Sequence, residues 1–61
     1  MSSKTTAEIK ALSTDAEQTE GLLAVMSYWK VTNLASITED MGLEFLAKVR
    51  NGEIKIRDYL G

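Results

Sequence analysis

The chain has 61 residues, which is enough for a single small domain. Seven basic and nine acidic residues give a formal net charge of -2, and 44% of the residues are hydrophobic. This composition is typical of a globular domain and excludes a disordered acidic tail or a basic nucleic-acid arm. Because the chain contains no Cys and no His, disulfides, thiolate metal sites and imidazole chemistry are also excluded.

The sequence carries no visible targeting segment. Charged residues are spread through the first twenty positions, where a signal peptide would need an apolar run. Residues 21–38 are the least charged stretch, but polar residues interrupt them too often for a membrane span. Together with the absence of Cys, these features predict a cytoplasmic protein with no membrane association.

The N-terminal third predicts one short helix. Residues 1–5 belong to a Ser/Thr-rich stretch that we expect to fray. Thr5 and Glu8 fit a capping box, in which a hydroxyl and a carboxylate satisfy the free amides of a helix start. The pattern therefore predicts a helix over about residues 6–12.

The strongest helical pattern covers residues 15–33. Thr14 and Glu17 form a second possible capping box. Four apolar residues then recur at helical spacing, namely Leu22, Val25, Met26 and Trp29. Gly21 is costly inside a helix, so it marks either a kink or a boundary at which residues 14–20 form a separate turn.

A third helix is predicted over residues 38–51. Ser36 and Glu39 form a third possible capping box, and the pair Asn51 and Gly52 supplies a stop. Its apolar stripe contains Met41, Phe45 and Val49, with Gly42 and Leu46 beside it.

Residues 53–61 are ambiguous. Ile54 and Ile56 alternate with charged residues as in a strand, but no second strand is available to pair with one. A turn followed by a short helix that docks Ile56, Tyr59 and Leu60 is therefore preferred.

These elements predict an all-α fold, either a small helical hairpin or a three-helix bundle with short terminal helical segments. The predicted core consists of Leu22, Val25, Met26, Trp29, Met41, Phe45, Leu46, Val49 and Ile56.

No residue pattern indicates catalysis, a cofactor or a metal. Asp15, Glu17 and Glu20 are best interpreted as acidic residues that complement a helix start. Trp29 is interpreted as a core residue rather than a stacking platform. The two longer helices could form a helix-turn-helix, but Glu39 and Asp40 would open the recognition helix and repel phosphate. We therefore expect no nucleic-acid partner.

A second apolar stripe is the main functional clue. Projection of the second helix places Ala24, Tyr28, Val31 and Ala35 on a side well away from Trp29. Either the terminal segments of the chain cover this stripe, or a partner does. The predicted protein-binding residues are Ala24, Tyr28, Lys30, Val31, Ala35 and Leu43.

The favoured function is a small, non-enzymatic regulatory or adaptor protein, such as a bacterial or phage inhibitor. It would bind a larger protein, or its own copy as a homodimer, through an apolar helix face. The alternatives are a structural or assembly subunit and, second, a helix-turn-helix DNA-binding protein.

Two segments resemble the Sda-type sporulation histidine-kinase inhibitors, which are small helical hairpins. They are Leu23 with residues 27–32, and residues 53–55 with Leu60 and Gly61. The resemblance covers part of the chain and needs an insertion between its halves. It implies a kinase-binding face that involves Tyr28 and Trp29.

Overall fold

The computed structural model describes residues 1–61 and contains three α-helices. They are α1 (Ser3–Lys10), α2 (Glu20–Trp29) and α3 (Glu39–Arg50). Two short 3₁₀ segments follow α2 and α3, at Leu34–Ser36 and Ile56–Tyr59. The all-α three-helix architecture is therefore confirmed, and residues 53–61 form a turn and a short helical segment. None of the helices combines the length and apolar character that crossing a membrane requires.

The first helix starts earlier than the sequence predicted, because Ser2 rather than Thr5 caps it. Ser2 Oγ accepts a hydrogen bond from the Thr5 amide at 3.1 Å. Residues 3–5 therefore form the first turn of α1, where fraying was expected. The predicted Thr5–Glu8 capping box is wrong, since a capping hydroxyl must precede the first helical residue.

The N-terminus of α1 is also tied to α3 through one carboxylate. The Ser2 amide donates to Glu39 Oε1 at 2.6 Å, and the hydroxyl of the buried Thr5 donates to Glu39 Oε2. These hydrogen bonds, led by that from Thr5, lower the pKa of Glu39. Glu39 is thus not the partner of Ser36 in a capping box; Thr38 caps α3, and its Oγ1 accepts from the Met41 amide at 3.2 Å.

Helix α2 is much shorter than the predicted 15–33 range. Gln18 (φ 54°) and Lys30 (φ 57°) both adopt the left-handed conformation, and they bound the helix on its two sides. Residues 14–19 form a separate turn, which is one of the two interpretations of Gly21 that the sequence left open. The Asp15 carboxylate holds this turn by accepting from the amides of Thr19 and Glu20, so the Thr14–Glu17 capping box is also wrong.

The predicted stop after α3 is confirmed. Gly52 has φ 83°, a conformation that costs glycine little. The Glu53 amide donates to the Lys48 carbonyl at 2.9 Å, and the Gly52 amide donates to the Val49 carbonyl at 3.2 Å. This pair of bonds is the Schellman arrangement that ends many helices.

The core is smaller than predicted and draws on more of the chain. It consists of Ile9, Ala24, Val25, Ile37, Phe45 and Leu46. Val25, Phe45 and Leu46 confirm the prediction. The other six predicted core residues are half-buried and pack around this cluster, namely Leu22, Met26, Trp29, Met41, Val49 and Ile56. Of these, Trp29 also donates its indole N–H to the Met41 carbonyl at 3.2 Å.

Gly21 explains how α1 and α2 come so close together. A Cβ at this position would overlap the Ile9 carbonyl group at the end of α1. The Gly21 amide also donates to Ser13 Oγ at 2.7 Å, which holds the connection to the start of α2. Gly21 therefore lies in the first turn of α2 as a close-approach residue.

Candidate protein-binding surface

One residue of the predicted binding stripe is part of the interior. Ala24 is 0% exposed and belongs to the core cluster, so its assignment to a binding face is wrong. The reason is the backbone turn at residues 14–19, which brings α1 back across the side of α2 that carries Gly21 and Ala24.

Tyr28 is also covered by the chain itself. Its ring centroid lies 5.1 Å from that of Trp29, 5.5 Å from Phe45 and 5.3 Å from Tyr59. Tyr59 belongs to the C-terminal 3₁₀ segment, so this segment covers the tyrosine side of α2. Lys48 Nζ donates to the Tyr28 hydroxyl at 3.1 Å, and this bond raises the pKa of Lys48. Tyr28 thus has packing partners on several sides before any other protein binds.

The remaining residues of the predicted site are not gathered on one surface. Val31 is half-buried and packs against the core. Lys30 and Ala35 are exposed just after α2 and in the first 3₁₀ segment. Leu43, which is 45% exposed, lies on α3.

The most exposed large hydrophobic residue is one that the sequence did not assign to a site. Leu23 on α2 is 53% exposed, and the neighbouring Leu22 and Met26 are half-buried. At about 100° per residue, Leu22, Met26, Leu23 and Ser27 cover roughly 140° of the helix surface. We call these four residues the outer face of α2.

A signal for the outer face was present in the sequence. No charged residue occurs between Glu20 and Lys30. A helix on the surface of a small domain needs a polar face toward water, and α2 supplies only Ser27 there. A helix with no charged residue after its first position leaves at least one apolar residue exposed, and that residue is Leu23.

A shallow cleft of about 450 Å³ lies beside the start of α2. It is lined by Leu12, Thr14, Glu20, Lys55, Ile56, Arg57 and Leu60. Glu20 Oε1 accepts from the Thr14 amide at 2.8 Å and from its hydroxyl at 2.7 Å, and these bonds lower the pKa of Glu20. Glu20 thus holds Thr14 in the turn before α2, and Asp15 accepts from the amides of Thr19 and Glu20 at the helix start.

No protein-family model, no curated protein and no solved structure matches this chain. The resemblance to the Sda-type kinase inhibitors therefore has no support from these comparisons. The two residues on which its binding face would depend, Tyr28 and Trp29, are half-buried and packed edge to face against each other.

Proposed function

We propose that the protein is a small, non-enzymatic regulatory or adaptor protein that binds another protein through the outer face of α2. The observation that carries this proposal is the exposure of Leu23 on a helix without charged residues between its ends. The half-buried Leu22 and Met26 flank Leu23 on the same helix face, and a contiguous apolar patch is a mark of an interaction surface.

The spacing of the outer face suits a helix that docks into an apolar groove. Met26 lies four residues after Leu22 and three residues after Leu23, which are the i+4 and i+3 spacings of one helix face. Such anchors are the usual contacts in helix-in-groove recognition. Burial of one leucine contributes about 1.5–3 kcal/mol at most, so the half-buried neighbours must also contact the partner.

A second candidate is a self-contained structural or assembly subunit. It is favoured by the packing of Tyr28, which the chain's own Tyr59 and Phe45 cover. In that case Leu23 would be an ordinary exposed leucine with no binding role.

The two candidates are separated by comparing three immobilised proteins: the wild-type chain, Leu23→Glu and Leu43→Glu. Leu43 is a matched control because it is a similarly exposed leucine on another helix. The binding proposal expects a protein from extracts of the source cells to bind the wild type and Leu43→Glu, with at least tenfold less recovered on Leu23→Glu. Equal recovery of every protein on all three would contradict it.

A further inference from the structure

We propose that the outer face of α2 binds a second copy of this chain, with the two α2 helices antiparallel across a twofold axis. This inference rests on the proposed function and names the occupant of the same surface. It follows from the placement of opposite charges at the two ends of α2.

The charges on either side of the outer face complement each other in an antiparallel pair. Glu20 begins α2, and Lys30 follows its last residue. The Lys30 side chain makes no hydrogen bond or ion pair within the chain, since the two ion pairs present join Lys48 with Glu44 and Arg50 with Glu8. Glu20 binds Thr14 through Oε1, and its Oε2 makes no hydrogen bond or ion pair within the chain, although Lys55 and Arg57 line the same cleft.

The length of α2 sets the register of the pair. Ten residues at 1.5 Å rise span about 15 Å, and a twofold axis near the level of Val25 brings Glu20 of each copy opposite Lys30 of the other. Leu23 then lies at the level of Ser27 in the second copy and next to its Met26. A small serine opposite a leucine lets the helices approach closely, so the apolar contacts and the ion pairs form in the same register.

The size of the fold is consistent with association. Only 9 of 61 residues are buried, and domains of this size commonly gain stability by oligomerisation. One pair of ten-residue helices buries less than the roughly 1,200 Å² of a standard interface, so the dimer should be weak and dependent on concentration.

Sedimentation equilibrium of the full chain, up to about 1 mM, tests the proposal. The wild type should pass from monomer to dimer, whereas Leu23→Glu should weaken association at least a hundredfold because its charge would be buried. Glu20→Gln keeps an oxygen that accepts from Thr14 and removes only the charge, so association should weaken about threefold to tenfold. Circular dichroism of each variant checks that it is folded.

Reversing the charges of Glu20 and Lys30 tests the proposed ion pairs most directly. Glu20→Lys and Lys30→Glu should each weaken self-association, since like charges then meet at both ends of the helix pair. An equimolar mixture of the two variants should form a heterodimer at least as stable as the wild-type dimer, because both contacts become attractive again. A local defect in folding would not be repaired by mixing.

The proposal is overturned if the wild type stays monomeric over this range, if Leu23→Glu associates as the wild type does, or if the mixture gives no heterodimer. These outcomes leave the proposed function separately testable. A monomeric wild type that still captures a cellular protein through Leu23 would show that the outer face binds a different partner.

Discussion

At the scale of single residues, Gly21 has the clearest consequence for stability. Helix propensity alone predicts that Gly21→Ala stabilises α2 by about 1 kcal/mol. The structure predicts the opposite, because the added methyl group would overlap the Ile9 carbonyl group. We expect Gly21→Ala to lower the free energy of unfolding by about 2–3 kcal/mol, since backbone must move to make room.

Urea unfolding measures this change, with Ser27→Ala as the control in the same helix. Ser27 is exposed, so its replacement by alanine should raise stability by up to about 0.5 kcal/mol through helix propensity. If Gly21→Ala were as stable as Ser27→Ala, the close contact between α1 and α2 would be wrong.

At the scale of elements, the stability of the contact between the start of α1 and the start of α3 should decrease in acid. Hydrogen bonds to its ionised form lower the pKa of Glu39 in this contact, and they also lower the pKa values of Asp15 and Glu20 in the turn before α2. A carboxyl group with a lowered pKa in the folded state stabilises the fold at pH values above its unfolded pKa, which is ordinarily 4.5 for Glu39. This contribution is lost as the pH falls through the folded pKa.

We therefore expect the unfolding temperature to be nearly constant from about pH 7 to pH 5 and to fall steadily below that range. Glu39→Gln should unfold at a lower temperature than the wild type at neutral pH, and its unfolding temperature should fall less in acid. Calorimetry of both proteins across the pH series checks this. Parallel pH profiles for the two proteins would show that Glu39 does not bind Ser2 and Thr5 as an anion.

The element boundaries show why local sequence patterns predicted only some of the helix ends correctly. Three S/T-x-x-E patterns predicted helix starts, but hydroxyl groups at Ser2 and Thr38 cap α1 and α3 instead. The capping box depends only on local spacing, whereas Glu39 is held by residues of α1 that are distant in sequence. The stop at Gly52 was predictable because the left-handed conformation there is a local property.

At the scale of the whole molecule, helical periodicity identified the fold class and half of the core. Val25, Phe45 and Leu46 lie on regular stripes, and all three are buried. Ile9 and Ile37 were missed because each lies in a segment too short to show a full apolar stripe. Their burial depends on how the segments fold back on the two longer helices.

The candidate surface was less predictable than the core for a related reason. The sequence predicted that α2 has more apolar surface than one neighbouring helix can cover, and the exposure of Leu23 agrees with this. It did not show which side the terminal segments cover, and they cover the Ala24 and Tyr28 side. The side left in solvent is that of Leu23.

The most direct test of this assignment is the free energy of unfolding of Leu23→Glu and Tyr28→Lys, measured by urea denaturation beside the wild type at a concentration where the chain is monomeric. We predict that Leu23→Glu stays within about 0.5 kcal/mol of the wild type, because its side chain already meets water. Tyr28→Lys should lose about 3 kcal/mol or more, since it removes three aromatic contacts and places an ammonium group beside Lys48. The reverse result, a stable Tyr28→Lys and an unfolded Leu23→Glu, would contradict the assignment of core and binding surface.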